Sequence, residues 1–318
     1  MQYLEMMMQH FWSVGRTYLL TRFHRLLRSV QARNPNPKIV TMKRLFSVVA
    51  LGAFSLIAAN SQVLLSGGLT YSQDFDSLSN SPAGSSATWT DNSTPGVAGW
   101  YASRAFTGGT TSAYGPYAYT GYRIGDGSAN NGTIWSFGTI GATDRALGSL
   151  GSGTPKTNVF GVRIANDTAS AVDNVLVSYT GEQWRVGGNT AIHKLDFSYQ
   201  IGSFASPIGV ETAPSGGWTA FSALNFNSPV TGASATALDG NLVANRTVFS
   251  SVLLTGVSLN PGQEIFLRWL DIDDSGNDHG LAIDDFSVSF AAVVPEPATA
   301  TLGGLAALSL MFYRRNRR

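Results

Sequence analysis

The C-terminal end of the chain carries an apolar segment that finishes in a cluster of arginines. Residues 298–313 contain no charged side chain and are followed by Arg314, Arg315, Arg317 and Arg318. At about 1.5 Å per residue, a helix over this run is about 24 Å long, and arginine snorkelling or bilayer thinning can bridge a core of roughly 30 Å. The run predicts a single transmembrane helix with cytoplasmic arginines. A buried C-terminal helix with a basic end is the alternative.

A stiff motif, Pro295-Glu296-Pro297, precedes this segment. Prolines on both sides favour an extended backbone, which leaves Glu296 open to a processing enzyme. Motif, apolar run and terminal arginines together resemble the PEP-CTERM sorting signal of Gram-negative bacteria, over residues 294–318. The resemblance implies recognition by an exosortase, with the inner membrane as a transient anchor before the protein reaches the cell surface or is secreted.

The N-terminal part contains a second apolar segment. Met42-Lys43-Arg44 precedes the apolar run Leu45–Ala59, and Ala59-Asn60-Ser61 offers small residues for cleavage. Residues 42–61 resemble a Sec signal peptide, which implies export by the Sec machinery. The preceding 1–41 is basic, and we interpret it as an extension before the true start at Met42. A long n-region or an amphipathic helix on the membrane surface is the alternative.

Charge is distributed unevenly along the chain. Of 21 basic and 20 acidic residues, eight bases and one acid lie before Leu45, and four bases follow Pro297. Residues 45–297 therefore hold nine bases and 19 acids. A segment this acidic is a poor partner for nucleic acid, whose binding needs basic groups, and it suits divalent cations. The chain has no cysteine, so a disulfide framework is excluded and stability must come from a sizeable core.

The segment 62–293 has the pattern of an all-β domain. In His193–Ile201, apolar residues alternate with polar ones, whereas Ile265–Asp271 is apolar on both faces, as in a central strand. Glycine-rich loops separate these runs. The pattern predicts a jelly-roll-like β-sandwich ectodomain over 62–293. Further predicted strands are Val175–Tyr179, Val248–Leu254 and Ala282–Phe290.

An acidic loop follows the predicted central strand. Carboxylates that crowd together repel one another unless a counter-ion is present, and oxygen ligands around a turn glycine suit Ca²⁺. The spacing is not that of an EF-hand, because the twelfth position from Asp271 is Ala282. A solvated turn is the alternative. The candidate ligands here are Asp271, Asp273, Asp274, Asn277, Asp278, Asp284 and Asp285.

The segment Ala282–Val288 is similar to the last strand of jelly-roll carbohydrate-binding modules. That resemblance implies that this final strand pairs with the first, which we place at Leu69–Phe75, and that a structural Ca²⁺ lies near the pairing. Asp74 and Asp76 would then join Asp284 or Asp285 as ligands.

Aromatic residues are frequent in the glycine-rich segment Asn80–Gly153, which has no regular pattern. Rings in such loops can stack on the apolar faces of sugars. Trp100, Tyr101, Tyr117 and Tyr119 are the candidate stacking residues, and the alternative is that such rings fill the core or brace loops.

Motifs of catalysis are missing from the sequence. It contains no G-x-S-x-G elbow and no H-E-x-x-H, and no thiol is available as a nucleophile. We therefore expect a non-enzymatic exported surface or matrix protein, processed through its sorting signal, with a Ca²⁺-stabilised sandwich that binds extracellular polysaccharide. A polysaccharide hydrolase and a purely structural or adhesive protein are the alternatives.

Overall fold

The folded part of the chain is an all-β sandwich. The structure, a computed structural model, describes residues 63–104, 117–153, 156–203 and 217–293, with 117 and 118 described by their backbone only. The predicted signal peptide and the sorting segment 294–318 lie outside these ranges. Among the described residues, no helix has the length and apolar character needed to cross a membrane.

The described residues form short and long strands with three 3-10 turns, at Leu65–Gly67, Ser222–Leu224 and Val243–Asn245. The strands are β1 (Val63–Leu64), β2 (Thr70–Gln73), β3 (Ser86–Thr88), β4 (Trp100–Arg104), β5 (Tyr117–Ala118), β6 (Gly121–Gly125), β7 (Thr133–Phe137), β8 (Ala146–Leu150), β9 (Asn158–Asn166), β10 (Val172–Gly187), β11 (Lys194–Ser203), β12 (Thr219–Ala220), β13 (Phe226–Asn227), β14 (Ala235–Ala237), β15 (Arg246–Leu253), β16 (Gln263–Asp271) and β17 (Gly280–Ala292).

Two sheets make up the sandwich. The first has the order β12-β11-β16-β9-β4-β5, with β1 beside β9 and β13 beside β11. The second has the order β14-β10-β17-β8-β7-β6-β3, with β15 beside β10 and β2 beside β17. Consecutive strands cross between the sheets, because β9, β10 and β11 alternate between the two, as do β15, β16 and β17. The connections between them lie at the ends of the sandwich.

The strand predictions are confirmed. The alternating run of His193–Ile201 is β11, and β16 lies between β11 and β9, as expected of a central strand. The final strand pairs antiparallel with β2, where Phe286 is opposite Gln73. The segment Asn80–Gly153 lacked a recognisable pattern, and its described residues, 80–104 and 117–153, supply six short strands, β3 to β8.

Aromatic side chains fill the space between the sheets. Trp269 of β16 is fully buried, and its ring lies at centroid distances of 5.2 Å from Phe197 and 5.7 Å from Phe286. Phe197 belongs to the first sheet and Phe286 to the second, so Trp269 contacts rings of both. Such contacts supply the core that the chain needs in place of disulfides.

Candidate functional site

The final strand changes neighbour near its middle. Residues Gly280–Ile283 of β17 pair with β8, whereas Phe286–Ser289 pair with β2. Asp284 and Asp285 lie between these two stretches. A register shift in the pairing with β10 occurs here, and Asp285 has a φ of 49°, which is consistent with a β-bulge. The bulge directs two adjacent carboxylates to the gap where β2 and β8 end.

Three more carboxylates surround this gap. Asp76 follows the end of β2, Asp144 precedes β8, and Glu182 of β10 is two positions from Thr180, the partner of Asp284. The ends of β2 and β8 are joined directly, because the Arg145 backbone N–H donates to Asp76 Oδ1 at 3.2 Å. We call the group that contains Asp76, Asp144, Glu182, Asp284 and Asp285 the gap cluster.

Burial, together with repulsion from neighbouring carboxylates, raises the pKa values of Asp76, Glu182 and Asp284. Burial, followed by the nearby Glu182, raises the pKa of Asp284 to about 9. Burial also raises the pKa of Glu182 to about 7, although its carboxylate accepts a hydrogen bond from Trp184 Nε1 at 2.9 Å. Without a cation, charging these groups together is unfavourable. The donors are all oxygens, the ligand type that Ca²⁺ prefers. Among the described residues, however, no three carboxylates of the gap cluster lie within 4.8 Å of one another, so an ion there would require the side chains to move inward.

A second group of ligand atoms lies at one end of the sandwich. His193, just before β11, places Nδ1 at 3.5 Å from Asp274 Oδ2 and 3.5 Å from Asp278 Oδ1. The two aspartates belong to the loop between β16 and β17. Burial lowers the pKa of His193 and raises the pKa of Asp278 to about 7. We call these three residues the end cluster.

His279 supports the end cluster without joining it. The backbone N–H of Gly187 donates to its Nδ1 at 2.9 Å, and its Nε2 lies 3.2 Å from the Ala191 carbonyl, to which it donates. Both ring nitrogens are therefore occupied. The His279 ring stacks on His193 at a centroid distance of 4.3 Å, which fixes the plane of that imidazole.

The predicted calcium ligands thus divide between two places. Along β17, Asp284 lies four residues from Gly280, a rise of roughly 13 Å, so one ion cannot contact both clusters. Asp271 is buried, and its Oδ2 accepts a hydrogen bond from Ser149 at 2.7 Å. Burial raises the pKa of Asp271 to about 8, which favours a neutral carboxyl within the sheet end. Asp74 lies beside the gap cluster, where its charge helps to raise the pKa of Asp76, and Asp273 lies beside the end cluster, where its charge helps to raise the pKa of Asp278. Asn277 contributes only its backbone carbonyl, which accepts a hydrogen bond from Asn189.

The aromatic residues proposed for stacking occupy different environments. Trp100 and Tyr101 are 0% and 2% exposed, and Tyr101 donates its hydroxyl to the Leu267 carbonyl at 3.2 Å. Neither ring has a free face for a sugar, so the structure gives both a packing role instead. The side chain of Tyr117 lies outside the described residues. Tyr119 borders a cleft, with its hydroxyl donating to Asn158 Oδ1.

This cleft lies along β3 and β6 and has a volume of about 680 Å³. Arg123 of β6 is held there by a hydrogen bond from Nη2 to the Gly84 carbonyl at 2.8 Å, and its guanidinium lies over the Trp135 ring. The described lining residues offer hydroxyls, an amide and two guanidinium groups, and none is a carboxylate. Its polar side chains include Ser86, Thr88, Arg104, Tyr119, Thr120, Arg123, Asn131, Thr133 and Ser152.

Sequence reasoning missed His193, Asp144, Glu182 and the polar cleft residues other than Tyr119 as site candidates. These residues are far from the acidic loop in sequence, and strand pairing brings them to their partners. The adjacency of His193 to a predicted strand end was the one available signal for the end cluster. The predicted sorting residues, Pro295 to Pro297 and the terminal arginines, lie outside the described part of the chain.

Comparison with known proteins gives little further information. No protein family and no curated protein matches the sequence. Similar solved structures include the family 11 carbohydrate-binding module of Clostridium thermocellum in complex with a β-1,3-1,4-mixed-linked tetrasaccharide, at 10% identity, 66% coverage of this chain, 97% of the module and a TM-score of 0.27. A second structure, from work on promiscuous carbohydrate-binding modules of the β-sandwich superfamily, gives 9% identity, 73% and 99% coverage and a TM-score of 0.23. At these TM-scores the similarity supports no conclusion about this chain.

The buried Asp271 carboxyl gives the first testable prediction. Its pKa is raised in the folded protein from an ordinary 3.8 to about 8, so the folded chain holds a proton that the unfolded chain releases. The protonated Asp271 carboxyl therefore favours the folded state at low pH, and this contribution to the free energy of unfolding is lost as the pH rises from about 4 to about 8. We expect Asp271→Asn to gain stability relative to the wild type by up to about 1.4 kcal/mol per pH unit in that window.

Urea unfolding of both proteins at several pH values, with a chelator present, measures this difference. The contributions of other groups with raised pKa values are the same in both proteins and cancel in the difference. If the free energy of unfolding had the same pH dependence in the variant and the wild type, the prediction would be contradicted.

Proposed function

We propose that this protein is an exported, non-catalytic β-sandwich that binds an extracellular polysaccharide in the cleft along β3 and β6. The observation that carries the proposal is the cleft lining, whose hydroxyl, amide and guanidinium groups match the hydroxyls of a sugar chain. Tyr119 adds a ring at the same wall. Arg104 and Arg123 favour a polysaccharide with carboxylate or sulfate substituents, because guanidinium groups bind such anions with paired hydrogen bonds.

The same lining supports binding over cleavage. Glycoside hydrolysis ordinarily uses two carboxylates that flank the scissile bond at about 5–10 Å from each other. The described residues of the cleft include no carboxylate. The acidic residues with the most strongly raised pKa values, such as Asp284 and Asp271, are buried elsewhere in the sandwich.

We also propose that Ca²⁺ binds at the gap cluster and stabilises the sandwich. Asp76, Asp144, Glu182, Asp284 and Asp285 come from separate strands and turns that meet where β17 changes neighbour. An ion there would neutralise the repulsion and tie the ends of β2 and β8 to the final strand. The crossing of consecutive strands between the sheets supports assignment of this sandwich to the jelly-roll kind.

For localisation, we propose Sec-dependent export through residues 42–61, followed by exosortase processing at Pro295-Glu296-Pro297. The support is the order of motif, uncharged run and arginines in residues 294–318. The acidic, cysteine-free sandwich would then lie outside the inner membrane with the terminal arginines inside.

Arg123→Ala tests the cleft. The substitution removes a cation from the lining, and we expect at least about tenfold weaker binding, since hydrogen bonds to charged groups contribute roughly 1.5–3 kcal/mol. A glycan array on the full-length chain in detergent would identify ligands, and calorimetry would measure the loss. Lys194→Ala is the matched control, because it also removes one positive charge but lies on the other sheet.

Thermal unfolding would verify that the Arg123 variant remains folded. Equal binding by the two variants, or no retention of any polysaccharide by the wild type, would remove the cleft proposal.

Asp284→Asn tests the calcium proposal. After treatment with a chelator, added Ca²⁺ at about 100 times its Kd should stabilise the wild-type chain by about 2.7 kcal/mol. The variant lacks a charged oxygen at the centre of the gap cluster, so we expect Ca²⁺ to have little effect on it. Asp173→Asn, in the same sheet but away from the gap, should respond like the wild type. A calcium response that survives Asp284→Asn places the ion elsewhere.

Glu296→Ala tests the sorting proposal. In a bacterium that carries an exosortase, the wild type should appear shortened outside the inner membrane, because the extended motif is recognised there. The variant should keep its tail and stay in the membrane fraction, as seen on immunoblots of separated fractions. Ser309→Ala, within the apolar run, serves as the control. Equal release of all three proteins from the membrane would show that the exosortase does not recognise Glu296.

A further inference from the structure

Two crossover loops meet at one end of the sandwich. The loop from β10 to β11 and the loop from β16 to β17 each pass from one sheet to the other. Asn189 Nδ2 in the first loop donates to the Ser275 carbonyl in the second at 2.8 Å. The backbones also touch, because a Cβ atom on Gly187 would lie only 2.1 Å from the Asp278 carbonyl oxygen. The end cluster lies at this contact, and its geometry is independent of the cleft.

The donor atoms of the end cluster have the spacing of metal ligands. Suitable atoms of His193, Asp274 and Asp278 all lie within 4.8 Å of one another. The two distances from His193 Nδ1 to the carboxylate oxygens are both 3.5 Å. Tetrahedral ligands at 2.0–2.1 Å from Zn²⁺ are about 3.3–3.4 Å apart. A small inward movement of the side chains would therefore suffice for coordination.

The atoms that converge here carry lone pairs. The His279 backbone N–H donates to His193 Nδ1 at 3.2 Å, so this nitrogen faces the carboxylates without its own proton. A metal ion on Nδ1 would replace this hydrogen bond. Within the described residues, neither Asp274 nor Asp278 forms an ion pair with lysine or arginine. The three side chains of the end cluster thus direct acceptor atoms toward one another, and no lysine or arginine side chain of the described residues pairs with them.

The other nitrogen of the same ring gives a second observation. His193 is 2% exposed, and its Nε2 has no hydrogen-bond partner in the described structure. A buried polar atom without a partner costs about 1–3 kcal/mol. The hydrogen bond to Nδ1 therefore leaves half of the polar capacity of the imidazole unused. The charged side chains at hydrogen-bonding or ion-pair distance from it in the described structure are the two aspartates.

We propose that His193, Asp274 and Asp278 form a binding site for a divalent first-row transition metal ion such as Zn²⁺. The imidazole sets this site apart from the all-oxygen gap cluster, because Ca²⁺ prefers oxygen ligands whereas imidazole suits Zn²⁺, Co²⁺ and Ni²⁺. Asp274, whose side chain is 29% exposed, provides a path for entry and room for water as a further ligand. The ion would link the two crossover loops.

The test uses the full-length chain in detergent, stripped with a chelator and free of any polyhistidine tag. Competition with a chromogenic Zn²⁺ chelator should show one equivalent bound at the end cluster, and Co²⁺ should give the absorption of a nitrogen- and oxygen-ligated ion. Asp274→Asn and His193→Gln should each weaken Zn²⁺ binding by about 100-fold or more. Ca²⁺ at the same concentration should not displace the Zn²⁺.

Three controls keep the result specific. Asp284→Asn should retain Zn²⁺ binding although it loses the calcium response, which separates the two proposed ions. The double variant His10→Ala/His24→Ala should also retain it, which excludes the two N-terminal histidines of the chain. Asp274 is partly exposed, so its isosteric variant should unfold at the same temperature as the metal-free wild type. Zn²⁺ binding unchanged in Asp274→Asn and His193→Gln, or full displacement by Ca²⁺, would overturn the proposal.

Discussion

The backbone ladder of β17 is the interaction on which the rest of the described structure depends. Along one edge it pairs with β10 from Val172 to Arg185, and along the other with β8 and then with β2. It therefore joins the early strands β2 and β8 to the long strand β10. Both acidic clusters are attached to it, the end cluster just before its first residue and the gap cluster at its bulge. A change in its register would displace both sets of carboxylates together.

Core packing requires aromatic rings to be buried, whereas stacking on a sugar requires a ring with an exposed face. Trp100 stacks against Trp269 at a centroid distance of 6.0 Å, and Tyr101 contacts Phe266 on the opposite face of the same sheet. A chain without disulfides must bury large rings to stabilise a sandwich, since each buried aromatic removes much apolar surface from water. Aromatic rings next to the glycine-rich loops therefore serve mainly to fill the core. Tyr119 borders the cleft but is only 7% exposed and belongs to the same core, with the Arg104 guanidinium over its ring.

Strand content could be predicted from the sequence because side-chain alternation is local. The run at β11 alternates between polar and apolar residues, and the run at β16 is apolar on both faces, which indicates a central strand. The gap cluster was predictable only in part. The similarity of the last strand to other sandwiches suggested that Asp76 and Asp284 approach each other, but Asp144 and Glu182 arrive through pairing with strands far away in sequence. The end cluster has no sequence signature, because a loop contact brings His193 to aspartates about 80 residues later.

Because the chain lacks cysteine, both clusters can be understood as places where a bound ion would cross-link the fold in place of a disulfide. Disulfides can join chain ends and loops in a domain, but this chain has no cysteine to form them. Carboxylates from different strands destabilise a fold when left uncompensated, yet they become cross-links once a cation binds the folded state alone. The gap cluster joins β2, β8, β10 and β17, and the end cluster joins two crossover loops. Ion binding at these places would therefore hold together strand ends and loops that backbone pairing does not connect. The stability of the sandwich would then depend on the metal content of its surroundings.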